Sequence, residues 1–230
     1  ELRAGGTEVL CVPTDVGDPE SLAGLAARAE TETGGVDLLV NNAGVEHTMP
    51  FDQVPVNILE QTIDVNLRAP MILSRLLLPH MIARGRGHIV NIASGAAYGG
   101  IPYQESYCAT KAGLLNLSRS IDATCKLDGH AVGCSTVSPG FVSDAGMYDD
   151  MVKSYGAKAP AMLGTTSPEK VAAAVIRAVK RDSLELIVNP RPIKPLAILA
   201  LIAPRFATWL LLRLGVMRVF GPVAKGRLSS

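Results

Sequence analysis

Five short runs rich in Val, Ile and Leu recur along this chain, and between them lie stretches long enough for helices. That alternation constrains the fold more than any other feature of the sequence. The runs are residues 8–13 (EVLCVP), 37–41 (DLLVN), 88–93 (HIVNIA), 132–137 (VGCSTV) and 184–188 (LELIV). All are short and apolar, as strands buried on both faces are, and this is the habit of parallel sheets covered by helices. The expected class is therefore α/β, with a doubly wound, mostly parallel sheet.

The intervening segments carry helix signals. Asp18-Pro19 offers an N-cap followed by proline at the first helical position, opening a helix over residues 20–33 that Gly34-Gly35 stops. Ser167-Pro168-Glu169 opens residues 170–181 in the same way. Helices over about 58–83 and 106–127 fill the other crossovers. There is no repeat, low-complexity tract or linker that divides the chain. With 230 residues, it has room for a sizeable core. Residues 1–190 are expected to form one domain, and residues 191–230 a distinct basic, apolar extension.

Composition excludes several classes. Apolar types make up 48% and charged types 19%, too hydrophobic for disorder and too charged for a polytopic membrane protein. A net charge of +1 gives no basis for nucleic-acid binding. Cys11, Cys108, Cys125 and Cys134 form no C-x-x-C pair and lie near no suitably spaced histidines, so neither a metal site nor a disulfide framework is expected, and a reducing cytoplasm fits best. The chain opens on Glu1 with no basic stretch leading into an apolar run. No secretory signal is expected, and an upstream segment is.

Ligands in open parallel sheets bind beyond the carboxyl ends of strands, so the residues there are the candidates for chemistry. Thr14-Asp15-Val16 follows the first run, Asn41-Asn42-Ala43-Gly44 the second, Ser94-Gly95 the third and Ser138-Pro139-Gly140 the fourth. Tyr107 stands thirteen residues beyond Ser94, and Lys111 one helical turn further, on the same helix face. An ammonium beside a phenol favours its ionised form, so Lys111 is expected to lower the Tyr107 pKa and fit it for proton exchange, with Ser94 holding the reacting oxygen.

The ordered set Asp15-Val16, Asn41-Asn42-Ala43-Gly44, Asn66, Ser94, Tyr107-x-x-x-Lys111 and Pro139-Gly140 resembles the short-chain dehydrogenases/reductases over residues 5–190. The resemblance implies a Rossmann-like fold and an NAD- or NADP-dependent oxidoreductase interconverting a secondary alcohol and a ketone, assembled as a homo-oligomer. It further implies that Tyr107 is the acid/base, Ser94 the oxygen positioner, Lys111 the ribose binder, and Asn66 the holder of a relay water. Asp15 and Val16 would contact adenine, Asn42, Ala43 and Gly44 would line the cofactor, and Pro139, Gly140 and Val142 would face the nicotinamide.

Two departures bear on these roles. The glycine-rich turn of the family is absent, leaving the N-terminal βαβ unit, roughly 40 residues, missing. The strand at 8–13 would then lack its neighbour, and dinucleotide binding by the chain as it stands would be weak. The usual threonine after Pro-Gly is replaced by Asp144, next to Ser143. A competing reading is a non-enzymatic remnant acting as a binding or membrane-associated protein.

Among other residues, Tyr98 and Tyr103 suit a substrate pocket or packing, and His47 a pocket wall or a plain loop. His80, His88 and His130 read as structural or solvated, and Cys108 as inert packing. No acidic residue follows Glu185, whereas Arg191, Lys194, Arg205, Arg213, Arg218, Lys225 and Arg227 do, leaving a net −6 on residues 1–185. Uncharged stretches there are too short to span a bilayer. Residues 195–220 are expected to form either a substrate lid or an oligomer-facing helix, or to make peripheral contact with an anionic membrane that would deliver a lipophilic substrate.

Overall fold

A computed structural model describes residues 5–228. Helix α1 (Pro19–Thr33) starts as its sequence signals: the Asp18 carboxylate accepts from the Glu20 and Ser21 backbone N–H groups, and Gly34 ends it at a left-handed φ of 75°. Strand β1 (Leu38–Asn41) follows. Helix α2 (Val56–Ile63), a five-residue π turn (Asp64–Arg68) and helix α3 (Ala69–Arg84) run on continuously to strand β2 (Gly87–Ile92). Then come helix α4 (Glu105–Leu127) and strand β3 (Val132–Pro139).

Strand β4 (Phe141–Val142), helix α5 (Gly146–Tyr155) and strand β5 (Thr165–Thr166) form an excursion before helix α6 (Pro168–Arg181) and strand β6 (Glu185–Val188). Helices α7 (Lys194–Ile202), α8 (Pro204–Arg213) and α9 (Met217–Leu228) complete the described chain.

The main sheet is parallel throughout, in the order β1-β2-β3-β6, and β4 pairs with β5 alongside it. Crossovers place α1, α3 and α4 on one face, where Leu22, Leu73, Leu77 and Met81 pack on Ile89 and Cys134. On the other, α6 packs Ala174 and Ala178 on Val90, Val137 and Val188. A polar spine crosses the layers: Asn41 Nδ2 donates to Asn91 Oδ1 at 2.8 Å, and Asn91 Nδ2 to Ser118 Oγ at 2.8 Å. Being buried, these amides fix β1 to β2 and β2 to α4, because every unpaired alternative costs desolvation.

The sequence reading needs correction at residues 8–13, which belong to no sheet. A strand exists only by exchanging hydrogen bonds with a neighbour, and β1 is the sheet's edge. Leu38 and Val40 lie exposed on its α6 side, because Leu39 takes the opposite face into the core. Four other expected strands and four expected helices appear within a few residues of their expected ends.

The C-terminal extension does not hang free. Val216, Val219, Phe220 and Val223 form a second buried cluster with Met151 and Ala157, seating α9 against α5. Among the described residues no single helix is long and apolar enough to cross a membrane; α8 and α9 pass together only as a pair bent by 82°.

Candidate active site

Because all four main strands run parallel, their carboxyl ends open on one side, where the chain encloses a cavity of about 1060 Å³. Asn42, Ala43 and Gly44 reach it from β1, Ser94 from β2, Tyr107 and Lys111 from α4, and Pro139, Gly140 and Val142 from β3 and β4. Nine residues singled out in the sequence thus share a single wall system. Ser94 caps a short turn, accepting from Ala96 N at 3.2 Å, with its hydroxyl beside the Tyr107 phenol.

Burial governs the ionisations here. Tyr107 is pushed up to about 12 by loss of water; the Ser94 hydroxyl works against this, and the Glu46 carboxylate adds to it. Lys111 is pushed down to about 8 by its own burial. Its Nζ donates to Ile92 O at 2.9 Å and lies 5.7 Å from the Tyr107 ring centre. Burial thus sets the direction: the Tyr107 phenol lies above its ordinary value, not below it as the Lys111 spacing suggests, and it stays protonated at neutral pH.

Asn66 sits in the π turn, fully buried behind the cavity wall rather than in it. Its amide clamps the loop after β1, with Oδ1 accepting from Val45 N at 2.8 Å and Nδ2 donating to Val45 O at 2.9 Å. Such π turns recur at functional sites because they redirect side chains within a helix.

Asp15 and Val16 are not brought to the cavity. Asp15 folds back to accept from Gly17 N at 2.8 Å, and Val16 packs on the α1 and α3 core. Asp144 takes a left-handed φ of 69° and accepts from Ser143 Oγ at 2.9 Å, outside the lining.

Tyr98 lines the cavity and His88 is buried against Ser135 Oγ at 2.7 Å. Cys108 is buried with its thiol pushed up to about 11 by loss of water, and His80 faces Glu30 at 3.7 Å.

Glu46 was not anticipated. Two residues past Asn42-Ala43-Gly44, it lines the cavity with only 5% of its side chain exposed. Gln104 Nε2 donates to its Oε1 at 2.6 Å, Thr48 Oγ1 donates to the same oxygen, and Arg227 Nη2 reaches Oε2 at 3.3 Å. Gln104 is directed inward next to Tyr103, whose φ of 67° is costly for a bulky side chain. Asn189 was also unforeseen: a Cβ at Gly140 would overlap its side-chain oxygen, so only glycine lets β3 leave the sheet there. Nothing local marks either residue, since Gln104 and Arg227 lie far from Glu46 in the chain, and Gly140 far from Asn189.

Residues 1–155 match the family described as short chain dehydrogenase. The chain belongs to that family. This short-chain dehydrogenase is 38% identical over 192 residues to a ketoacyl reductase, HetN, of Nostoc sp., covering 84% of this chain and 65% of that protein.

It is 36% identical over 179 residues to the cis-4-hydroxycyclohexanecarboxylate dehydrogenase of Sinomonas cyclohexanicum, covering 76% of this chain and 70% of that one. Against the first two curated relatives it spans 65% and 54% of their length.

Among solved structures, a short-chain dehydrogenase/reductase from Burkholderia phymatum in complex with NAD matches with a TM-score of 0.76 at 25% identity, over 89% of this chain and 79% of that one. A metagenomic short-chain oxidoreductase in complex with NADP matches with a TM-score of 0.68 at 30% identity, over 83% and 79%. The parallel sheet with helices on both faces is the Rossmann-like fold of these neighbours.

Proposed function

We propose that this short-chain dehydrogenase is an NAD(P)-dependent oxidoreductase that interconverts a lipophilic secondary alcohol and its ketone. The convergence of Ser94, Tyr107 and Lys111 on one cavity carries the reading. Kinship with proteins named as a ketoacyl reductase and a hydroxycyclohexanecarboxylate dehydrogenase supports a carbonyl/hydroxyl reaction over the non-enzymatic alternative.

The lining fits the nicotinamide half of a dinucleotide. Gly44 forms a shallow cradle: a Cβ there would stand 3.3 Å from Asn66 Oδ1 and 3.5 Å from Lys111 Nζ, filling the space a flat ligand needs. Lys111 and Asn42 would hold the ribose, and Pro139, Gly140 and Val142 would face the nicotinamide, which supplies or accepts hydride when bound. Ser94 Oγ and the Tyr107 phenol grip the substrate oxygen. The phenol proton passes to that oxygen in reduction and returns in oxidation. Asn66 serves from behind by pinning Val45.

Phe141, Met147, Met151, Leu196, Leu211 and Phe220 give the cavity a mostly apolar lining beside the polar Glu46, Gln104 and Asp150, hence a lipophilic substrate. All four cysteines are free and three are buried, as suits the reducing cytoplasm in which we place the protein. A homo-oligomer completes the reading; light scattering measures it.

Titration with NADH and NADPH, followed by nicotinamide fluorescence, tests the cofactor. Turnover of secondary alcohols and ketones of increasing chain length tests the chemistry, with Tyr107→Phe expected to lower kcat about 10²–10⁴-fold. Turnover of that variant within a few-fold of wild type would remove the phenol from the reaction.

A further inference from the structure

Helices α7 and α8 are amphipathic the wrong way round for a helix facing water. On α7, Leu196, Ala197 and Ala200 line the cavity, while Ile198, Leu201 and Ile202 face outward with 51%, 75% and 79% of their surfaces exposed. The outward set falls at i, i+3 and i+4, a single stripe. On α8 the stripe continues as Phe206, Trp209 and Leu212, all exposed, with Ala207 buried behind. Phe206 and Trp209 stack with ring centres 5.4 Å apart, and the Arg213 guanidinium lies 5.5 Å from the Trp209 ring. Exposed Lys194, Arg205 and Arg213 border the stripe, and no Asp or Glu follows Glu185 in the sequence.

We propose that the outer face of α7 and α8 docks on the surface of an anionic lipid bilayer. An apolar stripe with an aromatic pair and bordering arginines matches what the interface offers, an acyl layer beneath negative headgroups. Charge decides between this occupant and a second copy of the chain. A two-fold contact would set this patch against itself and bring cation to cation, with no carboxylate from this region to relieve them.

Length decides the mode. Nine and ten residues are far short of the roughly 20 that a span needs, so the helices lie in the plane. Helix α9 cannot extend the span, because Val219, Phe220, Val223 and Ala224 are already buried in protein.

The consequence is a wall one helix thick. Ala200 faces the cavity while Leu201 and Ile202 would face lipid, so α7 is the septum between bilayer and active site. That a lipophilic substrate crosses there rests on the reaction proposed above; the docking itself does not.

The full chain is to be sedimented with vesicles of phosphatidylcholine alone and of phosphatidylcholine mixed with phosphatidylserine, while the emission of Trp209, the single tryptophan, is followed. Expected are binding to the mixed vesicles, a blue shift on binding, and release as salt is raised. At about 1 kcal/mol per cation, Arg205→Gln with Arg213→Gln weakens binding about 30-fold. Leu201→Asn with Ile202→Asn abolishes the blue shift, with thermal unfolding of both variants kept close to wild type as the folding control.

Protein left in the supernatant with both vesicles overturns the proposal, as does binding indifferent to phosphatidylserine. A dimer that Leu201→Asn with Ile202→Asn dissociates, without vesicle binding, overturns it in favour of self-association. No substrate or cofactor enters these measurements, so an inactive protein that binds vesicles sinks the reaction and spares the docking.

Discussion

Tyr107 and Glu46 line the same cavity, and the carboxylate's field at the phenol sets a pH signature. Reduction of a ketone needs the protonated phenol, whereas oxidation of an alcohol needs the phenolate. With Tyr107 held at about 12, the phenol's own titration is expected to leave reduction unaffected through neutral pH and to lower it only in strong alkali, while oxidation climbs over the same range. Glu46→Gln keeps a polar group of the same shape for Gln104 and Thr48 but removes the negative charge that raises the phenol. The fall is then expected at lower pH, by up to about one unit, in a pH–rate profile. Ser94, Tyr107 and Lys111 were legible as single letters because their roles need particular functional groups at a fixed helical spacing. Glu46 was not, since a lone carboxylate after a strand reads as solvated until its partners fold over it.

At the scale of elements, the strands and crossovers followed from local chemistry. Asp18 capped α1 as its sequence promised, and buried Val/Ile/Leu runs became parallel strands. Residues 8–13 failed for a reason no local pattern contains, because a strand is a property of a pair. The polar spine is equally non-local. Asn91→Ala strips a partner from both buried Asn41 and Ser118 and is expected to cost about 1–3 kcal/mol in urea unfolding.

His88 gives β2 a pH response of definite sign. Burial lowers its folded pKa below the ordinary 6.5, so the unfolded chain binds the proton more readily. Stability is therefore full above pH 6.5 and declines as pH falls below it; His88→Gln, measured by thermal melts across that range, is expected to flatten part of the slope.

Across the whole molecule, the carboxyl ends of the strands supply one half of the cavity and the C-terminal helices the other. Phe220 of α9 and Leu196 of α7 face the same space as Pro139 and Gly140. The sequence disclosed the first half, whose glycines, amides and Ser-Tyr-Lys spacing are stereotyped by chemistry. Only the folded chain discloses the second, because apolar helices can fill a wall with many side chains of similar size.

Arg227, on α9, reaches Glu46 across 181 positions of sequence. Chemistry at the phenol thereby depends on a docking event that the sheet does not need. Gentle heating is expected to extinguish turnover while the far-ultraviolet dichroism of the strands and central helices persists, and cooling to restore turnover. A protein assembled this way has a reaction centre that reports on the seating of its last helix, so that a lesion along the closing helices registers in catalysis.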